Sequence, residues 1–232
     1  MRLLIVNPNS TVEMTNRIGD EAQIHLPDWV QLILKTNNSG PASIQGAADG
    51  ELAVPGTLEL LGQTPFDAAV IGCFDDTGLA EISANGEHTV VGLGEAAMRA
   101  AAETGEPFAV LTTTELSVPV LEANMRSYGL ERSCICIRAS MIDVLEFERD
   151  RETAALRLIT EGRKLVNDYP EVKIVALGCA GMGGLAKEME NALGISVIDP
   201  ICASVSLALR RGSVGHEVAA DFLSKDAYKP FD

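Results

Sequence analysis

Residues 67–79 have the sequence DAAVIGCFDDTGL, and residues 172–185 have the sequence VKIVALGCAGMGGL. Each is an apolar, partly β-branched run bounded by turn residues, which predicts a buried strand. Each run ends in Gly-Cys, at Cys73 and at Cys179, and passes through a Gly- or Asp-rich turn into a predicted helix. Ligands bind at the carboxyl ends of the strands in open α/β sheets. Both cysteines are therefore candidate site residues.

The sequence around the two cysteines keeps one register. A strand that ends near Asn7 precedes Cys73 by 66 positions, and a strand that ends near Thr112 precedes Cys179 by 67. A short strand and an apolar helix follow each cysteine. Any two α/β units share some of this pattern, but three features in one register favour a duplicated unit. We therefore predict an α/β fold with two similar Rossmann-like parallel-sheet lobes, related by a pseudo-two-fold axis. The first lobe is residues 1–95 with 210–232, the second is residues 96–209, and the two cysteines face each other across the cleft.

Composition narrows the class of protein. The chain has 232 residues, of which 47% are apolar and 4% aromatic, which suits Ala/Val/Leu-rich α/β layers. The net charge is −15, from 18 Lys and Arg against 33 Asp and Glu. A nucleic-acid interface needs clustered positive charge, so nucleic-acid partners are disfavoured, and anionic membrane surfaces are disfavoured for the same reason. No apolar run reaches the ~18 residues of a membrane span.

Compartment and metal content are predicted from the first residues, the cysteines and the histidines. The sequence starts at a predicted strand without a basic and apolar leader, so we expect a cytoplasmic protein. Five cysteines in a reducing compartment argue against a disulfide framework. The three histidines have no metal-ligand spacing, so no zinc or other metal site is expected. Cysteines most often serve as small buried apolar residues, which is the expectation for the other three, Cys134, Cys136 and Cys202.

Polar turns in the first half supply candidate ligand-binding residues. Ser10-Thr11-Val12-Glu13 fits the S/T-x-x-E capping box and predicts a helix that begins near Val12. This places the Asn9 amide at the mouth of the sheet, although Asn-Pro-Asn-Ser is also a turn signal by itself. The loop after the second predicted strand contains Ser43 and Ile44, and such loops commonly carry specificity.

The turns around the two cysteines offer further candidates. Asp75 and Asp76 are expected to cap a short helix that runs through Ile82, and they place negative charge beside Cys73. In the second half, polar groups come from hydroxyls and backbone amides of the two corresponding turns. The candidates are Thr112, Thr113, Thr114, Gly178, Ala180 and Gly181.

Residues 92–97, GLGEAA, match the dinucleotide-binding pattern G-x-G-x-x-A. The preceding strand is short and is not the first strand of a fold. We interpret the glycines as a tight turn with close helix packing, and a dinucleotide-dependent enzyme remains a distant alternative.

Two facing thiols suit one reaction in particular. A lone cysteine at a strand end is usually structural, but two equivalent ones can remove a proton from one face of a carbon and return one to the other face. Nearby helix N-termini are expected to lower the thiol pKa values, and the two turns would stabilise the enolate oxygen. A cysteine protease would need a histidine beside its nucleophile, and neither Cys73 nor Cys179 has one nearby in sequence.

The chain resembles the aspartate/glutamate racemase superfamily, within it the hydantoin and allantoin racemase branch. The motifs that carry the resemblance are NPNST at 7–11, PASIQG at 41–46, CFDDTGL at 73–79, GLGEAAM at 92–98 and GCAGM at 178–182. The resemblance implies a cofactor-independent racemase with Cys73 and Cys179 as catalytic residues, and a small cyclic ureide as substrate. It also leads us to expect a homo-oligomer. Thr77 departs from the family pattern, which commonly has proline there, and so does the tail after Gly212.

Several alternatives stay open beside inversion of a 5-substituted hydantoin or allantoin. An aspartate or glutamate racemase, or a related cis-trans isomerase, is disfavoured because Asp75 and Asp76 would repel a dicarboxylate, whereas Phe74 offers an apolar wall to a neutral ring. A decarboxylase of the superfamily typically keeps the second cysteine alone. From another class, a non-catalytic ligand-binding protein is possible, although both cysteines are present.

Overall fold

The structure is a computed structural model that describes residues 1–83 and 88–212. Its first sheet contains the parallel strands β1 (Arg2–Asn7), β2 (Gln31–Thr36), β3 (Ala68–Ile71) and β4 (Val90–Gly92), in the order β2-β1-β3-β4. The helices of this half are α1 (Val12–Ile24), α2 (Ala47–Gln63), α3 (Leu79–Ser83) and α4 (Leu93–Glu103).

The second sheet repeats this arrangement. Its parallel strands are β5 (Phe108–Thr112), β6 (Cys134–Ala139), β7 (Ile174–Gly178) and β8 (Ser196–Ile198), in the equivalent order β6-β5-β7-β8. The helices are α5 (Val118–Ser127), α6 (Glu146–Arg149), α7 (Arg151–Asp168), α8 (Ala186–Leu193) and α9 (Pro200–Gly212), with a 3₁₀ helix at Ala180–Met182. The α/β fold with two parallel sheets is confirmed.

The central strands form because their residues are apolar on both faces. All residues of β3, β5 and β7 are buried, as parallel strands covered by helices on both sides require. In register, Leu3 pairs with Ala68 in the first sheet and Phe108 with Ile174 in the second. The carboxyl ends of β1 and β3, and of β5 and β7, therefore meet at one edge of each sheet.

Two helices cross between the halves. Helix α4 follows β4 of the first sheet but packs against β5 and β7 of the second, while α9 follows β8 and packs back on β3 and β4. The two helices also pack on each other, and one apolar cluster includes residues of both sheets, such as Val70 and Val175. The lobe boundaries at residues 95 and 209 stay a prediction, and residues 213–232 of the first lobe lie outside the described part.

The starts of α1, α7 and α9 differ in whether a side chain caps the helix. Helix α1 begins at Val12 as expected, but the capping box is wrong: Thr11 is the N-cap residue, and its hydroxyl donates to the Ala42 carbonyl (2.7 Å) instead of capping the helix. Asp150 accepts the Thr153 N–H and caps α7 (3.1 Å). Asp199, directly before Pro200, accepts the N–H groups of Ile201 and Cys202 at the start of α9.

Neither a membrane-spanning helix nor a metal cluster is present in the part of the chain that the structure describes. Across 1–83 and 88–212, no helix combines the length and apolarity that crossing a membrane requires. Within the same ranges, no three His, Cys, Asp or Glu side chains are grouped so that they could hold a metal ion. All five cysteines are free thiols, and Cys134, Cys136 and Cys202 are half-buried.

Candidate active site

Cys73 and Cys179 follow the carboxyl ends of the equivalent strands β3 and β7. Cys73 is half-buried, and Cys179 is 7% exposed. The charge of a Cys179 thiolate contributes to raising the pKa of Cys73, and the charge of Asp75 raises the pKa of both thiols. The two sulfurs and the Asp75 carboxylate therefore lie within electrostatic range of one another.

The Cys73 sulfur is surrounded by its own turn. It accepts the Asp75 backbone N–H and the Thr77 hydroxyl, the latter at 3.7 Å. Burial raises the pKa of Cys73 well above its ordinary value, and the Asp75 charge raises it further. The two hydrogen bonds act in the opposite direction, because they favour the thiolate.

Backbone N–H groups of its own turn contact the Cys179 sulfur. It accepts the N–H groups of Gly181 and Met182 in the 3₁₀ helix that follows β7. Arg151 fixes this turn by donating to the carbonyls of Gly181 (2.8 Å) and Gly183 (2.5 Å). Burial raises the pKa of Cys179 to about 12 despite the two amides.

The expectation of lowered thiol pKa values is wrong, because both are raised. Donors from the two turns do reach the sulfurs, as the turn chemistry implied. Desolvation outweighs them, because a buried thiolate loses more hydration than two hydrogen bonds replace. Burial therefore keeps the pKa of both thiols above the ordinary value.

Asp75 joins segments of both halves. Its Oδ2 accepts the Gly46 N–H at 3.1 Å and the Ser117 hydroxyl at 3.0 Å, and its backbone carbonyl accepts the Asn124 amide at 3.0 Å. Burial raises the pKa of Asp75 to about 6. Asp75 therefore fixes the loop before α2 and the start of α5 against the Cys73 turn, and the predicted capping of α3 is wrong.

Asp76 caps α4 rather than α3. It has a left-handed φ of 53°, and its carboxylate accepts the N–H groups of Gly94 (2.8 Å) and Glu95 (2.7 Å) and the Tyr128 hydroxyl (2.7 Å). A Cβ at Gly92 would lie 2.2 Å from the Asp76 Oδ1. The glycine pattern at 92–97 thus gives room to a carboxylate of the protein itself, at the anion-binding end of the helix.

Other predicted site residues have internal hydrogen bonds or packing. Asn9 is 3% exposed, and its Oδ1 accepts the Asn7 amide and the Thr11 N–H. The Thr112 hydroxyl donates to the Gly178 carbonyl at 3.0 Å, where the two strand backbones leave no space for a side chain on Gly178. Phe74 is 2% exposed within the apolar core.

The remaining candidates lie near the junction that Asp75 forms. Ser43 is partly exposed and Ile44 is buried, on the loop that Gly46 anchors. Thr113 is buried and Thr114 is half-buried, on the segment before Ser117. Ala180 and Gly181 are buried in the Cys179 turn. Nothing in these contacts tests their roles, which stay predictions.

A cavity of about 460 Å³ lies behind the Cys73 turn. Asp75, Asp76, Tyr128 and Arg211 contribute to its lining, whereas neither catalytic candidate does. The pair of thiols therefore defines the candidate site better than this cavity.

A family model described as Asp/Glu/Hydantoin racemase matches residues 3–208, which include both cysteines. The chain belongs to this racemase family. It is an isomerase of the racemase class.

Relatives of known activity extend the match over most of the chain. The racemase family member from Rhizobium meliloti named hydantoin racemase is 35% identical over 211 residues, covering 90% of this chain and 87% of the relative. The allantoin racemase of Pseudomonas fluorescens has a TM-score of 0.85 at 27% identity, with both chains fully covered. That of Klebsiella pneumoniae has a TM-score of 0.84 at 27% identity, covering 95% of this chain and 93% of that chain.

Sequence reasoning missed residues that contact the racemase site at long range. Ser117 and Tyr128 bond to Asp75 and Asp76 from α5, and Arg151 holds the Cys179 turn from α7. No local pattern marks these partners, because each is more than 25 positions away in the sequence. Gln45 lies within PASIQG at 41–46, a motif that by itself assigns this residue no role.

Proposed function

We propose that this racemase inverts C5 of a 5-substituted hydantoin or of allantoin by proton transfer between Cys73 and Cys179, without a cofactor. The observation that carries the proposal is the placement of the two thiols, directly after the carboxyl ends of the equivalent strands β3 and β7 and close enough for the charge of one to raise the pKa of the other. A pair with one thiolate and one thiol is the state that two-base inversion needs.

The proton balance requires no additional reactant. One thiolate takes the proton from C5, and the electron pair delocalises onto the adjacent ring carbonyl as an enolate. The other thiol then gives its proton to the opposite face of C5, so the two cysteines exchange roles. The backbone amide of Ala180 and the hydroxyls of Thr113 and Thr114 are the groups we assign to the enolate oxygen.

The charges near Cys73 favour a neutral substrate. Asp75 accepts two hydrogen bonds and Asp76 accepts three, so both carboxylates are built into the first half of the site. A dicarboxylate would add like charges beside them, at a cost that a neutral ring avoids. The hydantoin and allantoin racemases among the relatives support the same choice of substrate.

Polarimetry on a panel of single enantiomers tests the proposal. We expect rotation to decay to zero from either enantiomer of several 5-substituted hydantoins or of allantoin, faster than in enzyme-free controls and unchanged after dialysis against a chelator. L- and D-aspartate and L- and D-glutamate should keep their rotation. Racemisation of the amino acids with none of the ureides would contradict the proposal.

A further inference from the structure

Two buried polar atoms stand out in the part of the chain that the structure describes. Gln45 Oε1 and Thr114 Oγ1 are the buried side-chain oxygens or nitrogens there that have no hydrogen-bond partner. A buried polar group without a partner destabilises a protein by about 1–3 kcal/mol, so nearly all such groups in native structures are paired. These two atoms are therefore candidates for pairing with a bound molecule.

Both atoms belong to the junction beside Cys73. Gln45 directly precedes Gly46, and Thr114 lies three positions before Ser117. Gly46 and Ser117 donate to the same Asp75 oxygen, at 3.1 and 3.0 Å. A Cβ on Gly46 would lie 2.4 Å from the Leu116 carbonyl oxygen, so the two segments touch. The unpaired atoms thus come from adjoining segments, one from each half of the fold.

The backbone of Gln45 is fixed while its side-chain oxygen stays unpaired. The Gln45 N–H donates to Asp49 Oδ2 at 3.0 Å, at the start of α2. The protein therefore sets the position of the Gln45 backbone, while the side-chain oxygen has no partner of its own.

We propose that Gln45 and Thr114 recognise the N–H and C=O edge of the cyclic ureide. The Gln45 carboxamide oxygen accepts a ring N–H, and the Thr114 hydroxyl donates to a ring carbonyl. This inference rests on the proposed function, since a ureide ring presents N–H and C=O groups side by side. It makes Gln45 a specificity-determining residue.

Variants of matched shape test the inference against N-methylated substrates. We compare kcat/KM for one 5-substituted hydantoin and for its N1-methyl and N3-methyl analogues, using wild type, Gln45→Met, Thr114→Val and Thr114→Ser. Methylation of the ring nitrogen that Gln45 contacts should lower kcat/KM in wild type relative to the parent hydantoin. In Gln45→Met, the ratio of kcat/KM between parent and that analogue should be about 10- to 100-fold smaller than in wild type, because methionine lacks the acceptor. Thr114→Val should lower kcat/KM on the parent to a similar extent, and Thr114→Ser should retain it.

Stability separates recognition from a structural role. Thermal unfolding of ligand-free Gln45→Met and Thr114→Val should occur at the wild-type temperature or above it, because each removes an unpaired buried polar atom. Gln23→Met, at an exposed position on α1, is the matched control and should leave both kinetics and unfolding unchanged.

Two results would overturn the inference. In one, Gln45→Met keeps the wild-type ratio between the parent and both methylated analogues while wild type is active, which leaves the proposed function intact. In the other, wild type racemises no ureide at all, which removes the proposed function together with the inference.

Discussion

The Cys73 turn and the Cys179 turn occupy equivalent places in two equivalent sheets, yet they are anchored from opposite sides. In the first half, Asp76 on the turn reaches out and caps α4 through the amides of Gly94 and Glu95. In the second half, Asp199 at the start of α9 reaches back and accepts the Gly184 N–H of the turn at 2.6 Å. Each half thus uses one carboxylate to bind its cysteine turn to the helix after its fourth strand.

The difference shows which features the fold repeats. Strand order and the place of the thiol recur, whereas the side chains that hold the thiol do not. Cys73 is next to a carboxylate and a hydroxyl, and Cys179 is held by two backbone amides. Because enantiomers have equal free energies, kcat/KM must be the same in both directions, so this asymmetry can appear in kcat or in single-cysteine variants.

Loss of either thiol should have the largest effect. We expect Cys73→Ser and Cys179→Ser each to lower the rate of racemisation by about 10²- to 10⁴-fold or more, because a serine hydroxyl supplies no thiolate-like base near neutral pH. Polarimetry measures the rate, with Cys202→Ser as the matched control at a half-buried cysteine. A near wild-type rate in either site variant would assign that cysteine a structural role.

Loss of either anchoring carboxylate should come next. Asp76→Asn and Asp199→Asn should each lower the free energy of unfolding by about 1–3 kcal/mol, because each carboxylate accepts three hydrogen bonds that a single amide oxygen replaces poorly. Chemical denaturation measures the change. Asp150→Asn is the control, since asparagine caps a helix about as well as aspartate.

The pH dependence of the same measurement sharpens the comparison. Burial raises the folded-state pKa of Asp76 from 3.8 to about 7, so the folded protein binds this proton more tightly than the unfolded chain. Stability from this group is present at low pH and is lost as the pH rises through about 7. The cost of Asp76→Asn should therefore grow as the pH falls from about 7 towards 5, and a cost that shrinks would contradict the assignment.

Asp75→Asn should move the pH profile. Its charge raises the pKa of both thiols, so the variant should form thiolate at lower pH. The acid limb of the pH profile of kcat/KM should shift to lower pH, by the same amount for racemisation that starts from either enantiomer. Asp28→Asn, an exposed carboxylate ahead of β2, should leave the limb in place. A shift to higher pH would mean that Asp75 assists the thiols.

Thr77→Val should give the smallest effect, and of opposite sign. The Thr77 hydroxyl favours the Cys73 thiolate through a weak bond to sulfur, so its loss raises the pKa of Cys73. We expect kcat/KM near neutral pH to fall about two- to fivefold, with the acid limb moved to higher pH. Thr77→Ser is the control that keeps the hydroxyl, and an equal loss in both variants would exclude the bond as the cause.

Much of the fold was predictable because it depends on local pattern. The apolar runs before Cys73 and Cys179 identified β3 and β7. Parallel sheets covered on both faces leave such continuous apolar runs. The crossing of α4 and α9 was not predictable, because an apolar helix face does not specify which sheet it covers.

The site was predictable at the two cysteines and less so around them. Asp75 and Asp76 follow a strand as helix caps commonly do, and nothing local indicates that their partners are Ser117, Tyr128 and the start of α4. The thiol pKa values were predicted in the wrong direction, because burial depends on tertiary packing while the turn donors are visible in sequence. Gln45 could be recognised as a site candidate only from the structure, because whether a side-chain atom is unpaired depends on all of its neighbours.

Hydrogen exchange at C5 in the single-cysteine variants tests the central claim most directly. Each enantiomer of one hydantoin is incubated in D₂O with Cys73→Ser or with Cys179→Ser, and deuterium uptake at C5 is followed beside an enzyme-free control. The proposed mechanism places one thiol on each side of the carbon, so we predict that one variant exchanges the proton of one enantiomer and the other variant that of its mirror image, without inversion. Exchange of the same enantiomer by both variants would contradict a site with one base on each face.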